Sequence, residues 1–208
     1  MNIQKLLFTA AMACSVILAQ GPPAGAPKGG GGGPKGPPRP AFWVSSTAWA
    51  DGDFVPMKHS GRGDNKSPAF EFHWNLGTAP TTAPDTLQSY AVIFHDAENS
   101  TNRTAVDTLH WSAFNIPGTA KGLPEGLPAG DGADGMRNGP GIRGGAQGAY
   151  FGPGAGPGPV HHYIFEFYAL DAKLELGPTP TRDELIKAMD NHVIGKAVYY
   201  GRFPQPAP

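Results

Sequence analysis

Two distant segments of the chain carry side chains able to bind or move charge. One holds Asp96, Glu98 and His110; the other reads Tyr150-Phe151-Gly152-Pro153, followed by His161-His162-Tyr163. Each group is attached to an apolar run of β type. Polar groups in such surroundings need partners, so the spacing predicts one pocket assembled from both segments. The chemistry available there suits an anionic head group. Two histidines, two acids and a tyrosine are also enough for acid-base or metal-assisted hydrolysis, the enzymatic alternative. No activated nucleophile accompanies them: there is no Gly-x-Ser-x-Gly, zincin helix or P-loop, so neither a catalytic residue, a cofactor nor a resident metal is expected.

Of the 208 residues, the first 40 do not read as folded domain. Lys5 and the apolar stretch from Leu6 to Leu18, ending in small residues near Ala19, have the layout of a signal peptide over residues 1–20. The run is too short for a membrane anchor, so no transmembrane span is expected in the mature chain and the protein should be secreted or periplasmic. Cys14, the only cysteine, falls within that segment, which leaves none for a disulfide. Residues 21–40 are almost all Gly, Pro and Ala with Lys28, Lys35 and Arg39, a composition that reads as a flexible linker. One domain of ordinary size follows, 41–205. A net charge of -1 and the lack of a basic patch argue against nucleic acid as a partner.

The elements that must position the polar residues are short strands punctuated by Gly and Pro. Phe70 to Trp74 alternates apolar and polar, Ser89 to His95 suits a central strand, and His110 to Ile116, His162 to Leu170 and Lys196 to Phe203 complete a set of five. Such spacing favours a sandwich or barrel. One helix is signalled by the capping box Thr181 to Glu184 and the stripe Leu185, Ile186, Ala188 and Met189. The Gly-rich stretch from Thr119 to Gly148 reads as an extended surface loop near the site. Within the strands, alternation sets His162 on the face opposite His161 and makes it structural. His59, His73, His95 and His192 are read as structural too. Arg62-Gly63-Asp64 spells an adhesion tripeptide by coincidence.

At this point the chain resembles the phosphatidylethanolamine-binding proteins, in particular the bacterial branch similar to Raf kinase inhibitor. Ala50 to Pro56 resembles the family's Asp-Gly-x-x-Ile-Pro, and Gly63 to Phe72 its Gly-x-Asn-x-Ser-Pro-Ala-Leu-x-Trp. His95-Asp96-Ala97-Glu98 with His110-Trp111 and Asn115-Ile116-Pro117 resembles its Asp-Pro-Asp-Ala-Pro segment and the later His-Trp and Asn-Ile-Pro. Tyr150 to Pro153, His161 to Tyr163, Tyr168 to Asp171 and Met189 to Val193 follow in the family's order. Both acids keep their places while the prolines between them are lost, and the family's His-Arg-Tyr becomes His161-His162-Tyr163.

The resemblance implies a mainly β fold, an antiparallel β-sandwich with one or two peripheral helices. It also implies a pocket for phosphate or a phospholipid head group, lined by Asp96, Glu98, His110, Tyr150, Gly152, Pro153, His161 and Tyr163. A protein partner, a kinase or protease, would be met through the surrounding surface. The residue types agree with an anion site: His110 and His161 offer ring N–H groups, Tyr150 and Tyr163 phenols, and the Gly152 region backbone N–H groups. Asp96 and Glu98 would orient the histidines or keep them protonated, or receive the ammonium of an ethanolamine group.

Overall fold

The computed structural model describes residues 38–100, 103–141 and 148–204. The signal-peptide reading of residues 1–20, the linker up to residue 37 and Cys14 lie outside them. Strand β4 (Ser89–Ser100) is the centre of the larger sheet. Its first eight residues are buried on both faces, which is why Tyr90-Ala91-Val92-Ile93-Phe94 is continuously apolar. It pairs with β5 (Asp107–Pro117) on one side and β8 (His161–Leu170) on the other. Strand β9 (Val193–Phe203) extends the sheet beyond β8 and β7 (Arg137–Asn138) beyond β5, giving five strands in the order β7-β5-β4-β8-β9. The second sheet has β2 (Phe70–Leu76) flanked by β1 (Ala41–Ser45) and β3 (Ala79–Thr81), with β6 (Gly122–Leu123) also on β2. Pairing between these strands is antiparallel throughout, so the fold is an antiparallel β-sandwich.

Aromatic rings fill the space between the sheets. Phe42, Phe70, Phe72 and Trp74 of the smaller sheet meet Tyr90, Phe94, Phe165, Phe167 and Tyr199 of the larger. Phe94 stacks on Phe165 at 3.9 Å between ring centres, and Phe70 meets Phe167 edge-on at 4.8 Å. Each such ring contributes about 1.5–3 kcal/mol by burial.

The outer face of the larger sheet is covered by α1 (Arg182–Met189). Thr181 and Glu184 close the expected capping box, and Leu185 and Met189 pack on Ala91, Ile93, Phe114 and Leu170. Ile186, expected in that stripe, is largely exposed. Arg182 is tied to Asp107, which also receives His95 Nδ1 at 2.6 Å, so the structural reading of His95 has a partner. A 3-10 turn at Met57–His59 is a further helical element.

Over its described residues, 119–141 and Gly148, the Gly-rich stretch is mainly surface loop, as its lack of periodicity predicts, but it is not loop throughout. It contributes β6 and β7, and it buries Leu123, Met136 and Asn138. Its strands are two residues long, too short to leave a period in the sequence. Side-chain bonds fasten it instead: Trp111 Nε1 donates to Asn138 Oδ1 at 2.7 Å, and Asn138 Nδ2 donates to the Gly130 carbonyl.

Among the described residues, no helix is long and apolar enough to cross a membrane. Thr181→Ala should lower unfolding free energy by about 1 kcal/mol through loss of the cap, and Leu185→Ala by about 2–5 kcal/mol. Urea titration checks both, the midpoint falling at constant m-value.

Candidate ligand-binding site

Alternation along β4 aims Tyr90, Val92 and Phe94 into the sandwich, and the next residue of that series is Asp96. On β8 the same rule brings Phe167, Phe165, Tyr163 and then His161 to the inner face. Asp96 and Tyr163 are direct partners in register, so the apolar core passes into a polar end at one level of both strands. Strand β5 adds His110 by another route. Phe94 pairs with Trp111 whereas His95 pairs with Leu109, which makes His110 the extra residue of a β-bulge. The bulge lets two consecutive residues, His110 and Trp111, turn inward. The His110 ring lies 5.4 Å from Phe94 and edge-on to Tyr163 at 5.2 Å.

Two loops cover this end. Asn65 joins them with both ends of its amide: Nδ2 donates to the Tyr150 carbonyl at 3.2 Å, and Oδ1 accepts from Gly152 N–H at 2.8 Å. Gly61 N–H donates to the Pro153 carbonyl at 2.9 Å, and Tyr150 Oη donates to the His59 carbonyl at 2.7 Å. Arg62 Nε donates to the carbonyls of Gly154 and Ala155 at 3.0 and 2.9 Å. Gly152 is required here, because a Cβ would come within 2.0 Å of the His59 carbonyl oxygen.

Beneath the loops lies a cavity of about 300 Å³. Its floor is Asp96, His110 and Tyr163, which are 2, 2 and 1 % exposed. His161 and Phe151 form walls, and Arg62, Asn99 and the chain at Gly154-Ala155 form the rim. Asp96 Oδ1 accepts from the N–H groups of Glu98 and Asn99, both at 3.1 Å. His161 Nδ1 lies 3.0 and 2.8 Å from the two oxygens of the same carboxylate. Tyr163 Oη accepts from Ala155 N–H at 3.2 Å. Burial, and then the Asp96 charge beside it, push the Tyr163 phenol well up, so it stays a neutral hydroxyl. His110 Nδ1 bonds the Phe151 carbonyl at 2.9 Å. Burial is the largest influence on this ring and pushes it below the ordinary histidine value of 6.5, against the opposing pull of the Phe151 carbonyl and of Asp96.

Of the residues expected in the pocket, Asp96, His110, His161 and Tyr163 share this cavity. The others stand elsewhere. Tyr150 is buried behind the floor, stacked on Phe94 at 5.5 Å, with its hydroxyl taken by His59. Gly152 and Pro153 build the loop junction rather than the cavity wall, and Gly152 N–H is already bonded to Asn65. Glu98 is exposed and grips His162, accepting from its backbone N–H and from its Nδ1 at 2.6 Å each. Burial raises the Glu98 carboxyl, but these bonds outweigh it and hold the group below the usual carboxylate range. Arg62, Asn99, Phe151 and Asn65 were not singled out. Arg62 stands inside the Arg-Gly-Asp tripeptide set aside as coincidence, and its glycine neighbours are the one local signal. A Cβ on Gly61 would meet the Phe151 ring at 2.9 Å, and one on Gly63 the Met57 carbonyl at 2.1 Å.

Asp96, Glu98 and His161 bring potential ligand atoms within 4.8 Å of one another. Two carboxylates and an imidazole suit a zinc-class ion. Such an ion would have to replace the Asp96–His161 and Glu98–His162 bonds. Among the described residues, no serine, threonine or cysteine lines the cavity.

Residues 45–204 match the family model for phosphatidylethanolamine-binding protein. The UPF0098 protein of Methanothermobacter thermautotrophicus is 32% identical over 161 residues, spanning 77% of this chain and 97% of that one. A crystal structure of a phosphatidylethanolamine-binding protein homologue from Chlamydia trachomatis is similar at a TM-score of 0.66 and 26% identity, over 80% of this chain and 99% of the other. Escherichia coli YbcL shares the fold at a TM-score of 0.64 and 23% identity, over 79% and 99% of the two chains. Sandwich topology, family model and relatives agree, and the chain is a member of the phosphatidylethanolamine-binding protein family.

Proposed function

We propose that this protein is a binding protein whose cavity takes a small phosphate-type anion, free or as a head group. The observation that supports this best is the convergence of Arg62 and His161 on one cavity with a buried polar floor. Arg62 is a cation and, with Nε on the loop carbonyls, has its terminal nitrogens left for a ligand. His161 Nδ1 bonds Asp96 at 2.8 Å, which fixes the ring and leaves Nε2 as its other nitrogen for a ligand. Asp96 acts as a positioning residue: its oxygens already take two backbone N–H groups and a ring nitrogen, so an ammonium group finds little left on it. A volume near 300 Å³ is at the small end for ligand sites and suits a head group without its acyl chains. The reading includes export by way of residues 1–20, and any effect on a kinase or protease would act through the surface around the cavity.

Calorimetry with inorganic phosphate and phosphoethanolamine should show binding, and Arg62→Ala or His161→Ala should each weaken it roughly tenfold or more, as expected for hydrogen bonds to charge. Unchanged affinity in both variants would refute the site.

The cluster of Asp96, Glu98 and His161 favours metal-assisted hydrolysis as a second reading. It predicts near-stoichiometric zinc in the purified protein, lost in Asp96→Asn. The binding reading expects far less than one equivalent in either protein.

Burial also pushes His59 below its ordinary 6.5. The unfolded chain therefore binds protons at His59 and His110 that the folded chain does not, and stability rises with pH across this window. Unfolding free energy without ligand should fall as pH drops from about 6.5 towards 5, before carboxylates such as Glu98 and Asp107 begin to protonate. The double variant His59→Gln with His110→Gln should flatten that slope in urea titrations.

A further inference from the structure

Most anion sites present donors only and so accept any anion that fits. The floor of this cavity differs. The Phe151 carbonyl can only accept, so the His110 nitrogen bonded to it, Nδ1, carries a hydrogen. The ring is 2 % exposed, and burial favours its neutral form. A neutral imidazole with its hydrogen on Nδ1 has a lone pair on Nε2, and this ring lines the cavity. The groups around the ring do not reverse this. From β4 they are Asp96 and His95, from β8 His161 and Tyr163, and from the loops the carbonyls of Phe151 and Gly152 together with Arg62. Asp96 is the single anion among them, and its oxygens are already taken by His161 and two backbone N–H groups. Tyr163 is no substitute donor, since its hydroxyl lies against Asp96 and accepts from Ala155.

An oxygen without hydrogen, set against the Nε2 lone pair, is repelled, whereas a hydroxyl there makes a hydrogen bond. We propose that His110 makes this cavity selective for oxyanions that keep a hydroxyl hydrogen, hydrogen phosphate and singly protonated phosphomonoesters, over sulfate and phosphodiesters. This rests on the anion-site reading above and narrows it. Arg62 and His161 supply attraction common to all these anions, and His110 distinguishes among them. An intact phospholipid carries a diester and is disfavoured. Free phosphate and a monoester remain as sources of the shared chemistry.

The test is calorimetry on the purified protein with inorganic phosphate, phosphoethanolamine, glycerophosphoethanolamine and sulfate. At about pH 7.5 inorganic phosphate should bind roughly tenfold or more tightly than sulfate or the diester, as sites built around a ligand hydroxyl reject analogues lacking it. Phosphoethanolamine loses its second proton near pH 6, so its affinity should rise as pH is lowered from about 8 to about 6. Inorganic phosphate, which keeps a hydroxyl throughout, should change less, and comparing the two at pH 6 shows which source the cavity prefers. His110→Gln offers an amide N–H in place of the lone pair and should bring sulfate to within about twofold of phosphate. The wild-type ratio stands as a test even if that variant fails to fold. Equal affinity for sulfate and phosphate in the wild-type protein overturns the selectivity alone. Absence of binding by every anion across this pH range overturns the anion site and the selectivity together.

Discussion

A carboxylate almost wholly withdrawn from water must have its charge answered by the protein, and Asp96 sets that demand here. It stands at the end of a β4 series whose earlier members are core aromatics and aliphatics, where an unpaired charge would be intolerable. The chain answers with a bulge in β4 that delivers the N–H groups of Glu98 and Asn99, and with His161 from the neighbouring strand. The bonds that make Asp96 tolerable are the ones that fix the His161 ring. Stability and site geometry are therefore one requirement, and a cavity follows because polar groups so held cannot pack like the phenyl rings behind them.

The covering loops obey a similar economy of groups. Asn65, at a positive φ of 55°, reaches one loop from the other with a single amide, while Tyr150 and Gly61 close the remaining gaps. These contacts are short and mostly to backbone, so they depend on chain path more than on side-chain identity. The rim that carries Arg62 is in this way held by the same fastening that shields the floor.

Much of the architecture was legible because period-two patterning is a direct consequence of a half-buried strand. It marked β2 and turned His162 away from His161, while β4 was legible as a continuous apolar run and β8 as an aromatic one. The capping box of α1 was equally plain. What was not legible lies where the chain departs from regularity. Nothing in the residues from Leu109 to Trp111 announces a bulge, so His110 enters the pocket through its polar character and the likeness of His110-Trp111 to the family's His-Trp, not through alternation. Tyr150 and Gly152 have groups that can donate to a ligand, but the loop junction consumes those donors first. Arg62 gave little sign of itself, since a cation between two glycines has meaning only once the opposite loop is in place.

The bulge on β5 has a consequence for how such a cavity can be gained or lost. Register, not composition, decides whether the imidazole faces the cavity, because Trp111 already occupies the inward position next to it. Removing a single residue on the bulged side would restore plain alternation and swing the ring to the outer face, with every cavity side chain still present in the sequence. Two chains with the same inventory of polar residues could then differ completely in what they bind. An insertion or deletion in this stretch is a more telling mark of divergence among relatives than a substitution within the cavity.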